Sequence, residues 1–417
     1  MKIQLSTNLL FLFFVTSIYA QHAPTIGLPE SVGISGARLD KLDKQMHEFV
    51  DHGQLAGVQT AILRKGQLVH FDTYGFADLD RQQPLEDNSI WRIYSMTKPI
   101  VSVALMMLYE DGKFQLNDPL YKYIPEMKDL RVHTGGRETA PAKNHIRIID
   151  VLRHTTGFGY GWGPNTYVDS LYKSANRSAM KDNKAFVQHL STLPLYYEPG
   201  TGWRYSVSTD VCGYLVEVLS GQPLDQFLST HIFKPLGMED THFEVPDEKD
   251  DRFVTNYTTE ESGKLKVIDH PETSRYTKEV TMFSGGGGLV STTMDYMRFS
   301  QMLLNGGELD GARILSPKTI ELMTKDHTQG ITHAGGPIVL PGKGISFGLG
   351  FSVTTDLAAT EAIGSEGSYG WGGAAGTFFR IDPKEDMIIL LMIQLMPYNH
   401  LQARETFQTM VYQAIIE

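Results

Sequence analysis

Ile93-Tyr94-Ser95-Met96-Thr97-Lys98-Pro99-Ile100-Val101 runs directly into Ser102-Val103-Ala104-Leu105-Met106-Met107-Leu108. The second half is apolar nearly throughout and of helical length, which predicts a helix buried on most sides. Ser95 and Lys98 stand three residues apart, so a helix that begins near Ser95 carries both on one face, within reach of each other. A serine hydroxyl becomes a useful nucleophile only when a neighbour takes its proton, and a lysine amine can do so. The partial positive charge at a helix N-terminus also favours negative charge developing there. Pro99 lacks an N–H and disfavours helical geometry at Lys98, which confines it to the first turn and places the helix start close to Ser95. The alternative is an ordinary buried helix carrying an incidental serine.

The spacing alone is weak, because Ser170 to Lys173 and Ser178 to Lys181 repeat it. Those two lie among Asn176, Arg177, Asp182, Asn183 and Lys184 and read as a solvated linker.

Working outward, Ser35 to Gly53 has Leu39, Leu42, Met46 and Val50 at helical spacing, closed by Gly53. Two runs of strand-forming residues, 58–63 and 67–71, flank Arg64-Lys65-Gly66 as a hairpin. This opens an α/β unit. From about Leu116 to Phe283 the chain reads as short helices and loops. Within that stretch Glu198-Pro199-Gly200-Thr201-Gly202-Trp203-Arg204-Tyr205-Ser206 precedes an apolar helix from Val211 to Leu219. Tyr205 follows a turn where a phenol can face a cleft, and a phenol beside a lysine forms a pair suited to proton shuttling. The plainer reading of Tyr205 is a buried ring with its hydroxyl on a backbone carbonyl.

The last third returns to α/β character. Ser284-Gly285-Gly286-Gly287-Gly288-Leu289-Val290-Ser291-Thr292 leads into a helix from Asp295 to Leu304 and has neither a P-loop's Lys-Ser/Thr nor dinucleotide-fingerprint spacing. Close backbone packing accounts for it better. Trp371-Gly372-Gly373-Ala374 opens a hairpin formed by 378–381 and 387–393, and a helix from about Gln402 to Ile416 ends the chain.

Ser95-Met96-Thr97-Lys98, Tyr205 and Trp371-Gly372-Gly373, in that order, resemble the serine β-lactamase-related hydrolases, and within them the class C β-lactamase-like esterases. Leu152 to Gly157, Glu198 to Gly200 and Gly285 to Ser291 also resemble scaffold segments of that family. The resemblance implies an antiparallel sheet flanked by helices, with a helical and loop-rich subdomain. The divisions expected are a leader at 1–20, an α/β part at 21–115, the helical part at 116–284 and the second α/β part at 285–417. It implies Ser95 as nucleophile, Lys98 and Tyr205 as proton-transfer groups, and the backbone N–H groups of Ser95 and Ala374 as the oxyanion site. It also implies Trp371, Gly372 and Gly373 as the substrate-side wall.

Two departures narrow the substrate. Val207 stands where the penicillin-recognising members carry Asn, and Trp371-Gly372-Gly373 replaces Lys-Thr-Gly. The cation expected to attract a substrate carboxylate is thereby lost, so the site suits a less charged ester or amide. A carboxylesterase is the expected activity, with β-lactamase, D-peptidase or penicillin-binding protein, and acyltransferase as alternatives. A non-enzymatic binding module is the remaining one.

Gly344-Ile345-Ser346-Phe347-Gly348 imitates an α/β-hydrolase nucleophile elbow, but the residues after it continue as a strand where the elbow demands a helix. His133-Thr134-Gly135 imitates the third motif but precedes Tyr205 and reads as a polar loop. No His-Glu-x-x-His or cysteine metal spacing occurs, and neither a cofactor nor a metal is expected. The 417 residues carry a net charge of −11 and 41% hydrophobic residues, which fits a globular chain with no nucleic-acid partner. Lys2, the apolar Leu9 to Val15 and the small-residue end at Ala20 resemble a signal peptide, implying export to the periplasm or medium and no membrane span once it is removed; an uncleaved N-terminal anchor is the alternative. Cys212, the only cysteine, reads as packing.

Overall fold

The computed structural model describes residues 26–163, 166–175 and 180–417; the leader expected at 1–20 and Ser178 lie outside them. Eight strands make one antiparallel sheet: β1 (Gly57–Arg64), β2 (Gln67–Asp78), β3 (Gln83–Pro84), β4 (Ile345–Phe347), β5 (Ser352–Thr354), β6 (Tyr369–Gly372), β7 (Phe378–Asp382) and β8 (Met387–Met392). Their spatial order is β4-β5-β6-β7-β8-β1-β2-β3, so strands from the two ends of the chain meet at β8 against β1, with Gln59 opposite Met392 and Ile62 opposite Ile389.

The continuous apolar run of β8 follows from burial on both faces. Met387, Ile389 and Leu391 point to one side, where they pack with Leu42 and Met46 of α1 (Gly36–Asp51) and Phe407 and Val411 of the C-terminal helix Ala403–Tyr412. Ile388, Leu390 and Met392 alternate to the other side and join the larger core. That core contains α2 (Thr97–Glu110), α3 (Ser208–Ser220) and α4 (Thr293–Leu304), and the C-terminal helix is therefore α5.

Helix α2 is buried along nearly its whole length. Pro99 is its third residue, among the first four whose N–H groups have no intrahelical partner, so the ring costs no hydrogen bond. Cys212 is buried in α3. Two segments differ from the sequence reading. His133 to Gly135 belongs to a strand, Arg131–Gly135, paired with Glu138–Pro141, because backbone pairing satisfies the segment despite its polar side chains. Ser170 lies inside a helix, Tyr167–Ser174, capped by Thr166, whose hydroxyl accepts from the Asp169 N–H at 3.2 Å. Ser346 sits on β4 with a strand following, as the sequence indicates.

Candidate active site

A short 3-10 turn, Tyr94–Met96, precedes α2 and presents Ser95, which is partly exposed. Tyr94 has φ 43°, the left-handed region that non-glycine residues seldom occupy. Contacts from distant segments hold it: its hydroxyl accepts from Asn256 Nδ2 at 3.0 Å, and its ring meets Tyr276 edge-on at 6.4 Å. The turn is also tied to the glycine segment and to α4. Ile93 N–H donates to Leu289 O at 3.2 Å, Leu289 N–H to Thr97 Oγ1 at 3.1 Å, and Tyr296 OH to Met96 O at 2.9 Å.

Lys98, 1% exposed, directs its amine to Ser95 Oγ at 3.3 Å and to the carbonyl oxygen of Gly286. The same nitrogen lies 4.6 Å from the Tyr205 ring centroid and 5.5 Å from that of Tyr160. Tyr205 precedes α3 and is 5% exposed; its hydroxyl accepts from Trp371 Nε1 at 3.3 Å. Its ring packs on His154 at 5.0 Å and Trp371 at 5.4 Å. His154 is fully enclosed, and burial together with the Lys98 charge holds its imidazole well below the ordinary range, hence neutral.

The third segment arrives on β6. Gly373 passes so close to the turn that a Cβ there would stand 2.6 Å from Ile93 O, which only glycine permits. Among the described residues, neither the Ser95 nor the Ala374 N–H donates to a protein acceptor.

Two cavities meet at this point, and Ser95, Trp162 and Ala374 line both. One, of about 320 Å³, is walled by Phe243, Tyr276, Val280 and Met282 over the backbone of Gly286 to Gly288. The other, of about 370 Å³, is walled by Tyr205, Ile338, Trp371, Phe378 and Tyr398. Both have the size of small-molecule sites. Trp162 is half exposed and stacks on Tyr160 with ring centroids 4.3 Å apart. The structure therefore brings together Ser95, Tyr205, Trp371, Gly372, Gly373 and Ala374 as the lining of one cavity, with Lys98 buried against Ser95. The sequence reading did not single out Gly286, Tyr160, Trp162 or His154. The glycine segment does pack closely, since a Cβ on Gly285 would stand 2.4 Å from Thr209 O, but it also supplies the acceptor for Lys98.

No group of three or more His, Cys, Asp or Glu able to hold a metal occurs among the described residues. No helix among them is long and apolar enough to cross a membrane.

The fold and the serine–lysine pair at a helix mouth define a serine hydrolase of the β-lactamase/transpeptidase type. A sequence model of the Beta-lactamase family matches residues 42–412, and the chain belongs to that family. An uncharacterized protein of Mycobacterium tuberculosis is 34% identical over 372 residues, 86% of this chain and 90% of that one. A protein of Salmonella enteritidis named as a candidate D-alanyl-D-alanine carboxypeptidase is 28% identical over 94% of this chain and 91% of its own. Among solved structures, EstCE1, described as a hydrolase with promiscuous acyltransferase activity, superposes with a TM-score of 0.76 at 24% identity, over 90% of this chain and 98% of that one.

Proposed function

We propose that the protein cleaves carboxylic esters through an acyl-enzyme on Ser95. The observation that carries this reading is the 3.3 Å approach of the Lys98 amine to Ser95 Oγ where two cavities meet, with Tyr205 lining one of them. Lys98 and Tyr205 together take the hydroxyl proton as Oγ adds to the ester carbonyl carbon. The Ser95 and Ala374 N–H groups hold the oxygen that becomes anionic. Collapse breaks the bond to the leaving oxygen, Tyr205 returns a proton to it, and the alcohol departs. Water, deprotonated by Tyr205, then attacks the acyl carbon, releasing the acid and restoring the Ser95 hydroxyl.

The preference for esters is supported by Trp371, which lines the cavity beside Ser95 and puts an indole where a carboxylate-bearing lactam or peptide would need a cation; Val207 is buried in the core and lines neither cavity, so its part is only to withhold the amide expected there. Trp371, Gly372 and Gly373 form the wall against which the substrate lies. Transfer of the acyl group to an alcohol uses the same steps with the alcohol in place of water. The paired cavities favour it as a second reading, since one can hold the acyl group while the other admits an acceptor. The leader at 1–20 supports export, which N-terminal sequencing of the mature protein tests. The division at 116 and 285 belongs to the same reading.

Replacing Ser95 by Ala is expected to abolish turnover of a p-nitrophenyl ester and covalent labelling by a fluorophosphonate; survival of either overturns the assignment. Steady turnover of nitrocefin, or release of D-alanine, in preference to any ester would move the activity to lactams or peptides. Alcoholysis that outpaces hydrolysis would make it a transferase.

A further inference from the structure

Arg404, the second residue of α5, lines the cavity walled by Tyr205 and Trp371, beside Gly372 and Gly373. Its Nε donates to Gly376 O at 3.1 Å, and one terminal nitrogen donates to both Gly373 O and Thr377 O, at 2.5 and 2.6 Å. The other terminal nitrogen donates to the Tyr398 hydroxyl, and the guanidinium carbon stands 3.9 Å from the Tyr398 ring centroid. The guanidinium lies so close to Gly372 that a Cβ there would be 2.7 Å from its central carbon. Three carbonyls of a single tight turn thus converge on one cation. Gly373 N–H closes that turn onto Thr377 O at 2.8 Å, and Gly376 holds φ 94° within it.

Ala374 is inside the turn. Its N–H belongs to the same planar peptide unit as the Gly373 carbonyl, and in a trans unit the two point in opposite directions. Fixing Gly373 O on the guanidinium therefore fixes the direction of the N–H of Ala374, a residue that lines both cavities together with Ser95. A cation on the oxygen also polarises the amide and makes its N–H a stronger donor.

We propose that Arg404 is a positioning residue that aims and polarises the Ala374 N–H toward the oxygen developing negative charge. The inference rests on the reading above, in which that N–H is half of the oxyanion site. Arg404 is poorly placed to act as an anchor for an anionic substrate group. Of its five N–H bonds, four are already given to protein acceptors, so no bidentate fork remains for a carboxylate.

The test compares Arg404→Ala and Arg404→Lys with the unsubstituted enzyme on a neutral ester and on its thiono analogue, whose C=S profits little from oxyanion donors. Removing oxyanion stabilisation costs about 100-fold in kcat when a donor is deleted, so disordering one is expected to cost about tenfold or more, with KM unchanged. The oxo-to-thiono ratio of kcat/KM is expected to fall by a similar factor, and added guanidinium ion is expected to restore part of it in Arg404→Ala. Arg404→Lys keeps charge and bulk but loses the fork, so it should show the same lowered ratio if the alanine variant does not fold. An unchanged ratio, or an effect confined to KM of substrates with a carboxylate in the leaving group, overturns the inference. Loss of fluorophosphonate labelling at Ser95 in the unsubstituted enzyme would instead sink the acyl-enzyme reading itself.

Discussion

Lys98 and Gly286 stand 188 positions apart, and the lysine amine gives its shorter hydrogen bond to the glycine carbonyl while approaching Ser95 Oγ at 3.3 Å. The acceptor is itself fixed from behind. Asp210 Oδ1 accepts from Gly286 N–H at 3.1 Å and from Ser284 Oγ at 2.5 Å. A methyl group on Gly286 would stand 2.4 Å from Asp210 Oδ2, so Gly286→Ala must displace the Asp210 carboxylate or this turn, and with either the support of the Lys98 acceptor. The expected result is a loss of kcat of about tenfold or more on a p-nitrophenyl ester, read beside a thermal melt to separate it from unfolding.

Trp371 Nε1 donates to the Tyr205 hydroxyl at 3.3 Å, and the indole also meets Phe347 edge-on at 5.2 Å. Phenylalanine keeps the ring contact and deletes the donor. Trp371→Phe is expected to lower kcat about fivefold, the worth of about 1 kcal/mol for one hydrogen bond, with a displaced pH profile of kcat. A variant with kcat and profile unchanged would show that the indole N–H does not hold the phenol.

Ser346 occupies the decoy elbow on β4 and is buried, away from both cavities that contain Ser95. Ser346→Ala is expected to leave kcat/KM within about twofold, as for most substitutions remote from the reacting groups. A large loss of labelling by a fluorophosphonate in this variant would reopen the α/β-hydrolase reading.

Burial pushes the Asp295 carboxyl up from its ordinary value to about 7, against the opposing pull of donors from Thr241 Oγ1 and Asp240 N–H, both at 2.8 Å. In the unfolded chain the group titrates near about 3.9, so between roughly pH 4 and 7 the folded protein holds the extra proton. Its contribution is present in full below the lower value and is lost as pH rises through the upper one. Asp295→Asn is expected to flatten the fall in stability across that window, a change of no more than about 4 kcal/mol. Urea melts at several pH values measure it; equal slopes in both proteins would refute the burial argument.

Sequence-local physics made part of the site legible. Ser95 and Lys98 share a helix face because of their spacing, and the apolar run that follows requires burial of that helix. The β8 run and the hairpins were readable for the same reason, since strand period and turn residues act between neighbours in the chain. His133 to Gly135 misled because polarity of side chains says little about whether a backbone pairs.

The chain by itself determined the candidate nucleophile segment, its candidate partners, the absence of a cation at Trp371 and the α/β character of both ends. Folding alone decided that Gly286 holds Lys98, that Trp162 stands at both cavities, that His154 is kept neutral beneath Tyr205 and that Arg404 gathers three carbonyls beside Ala374. An arginine near the start of a terminal helix carries no local sign of such a role, and any glycine carbonyl resembles any other. Which donor meets which acceptor is set by strand order and by the close approach of backbones, and those arise from packing between segments hundreds of residues apart.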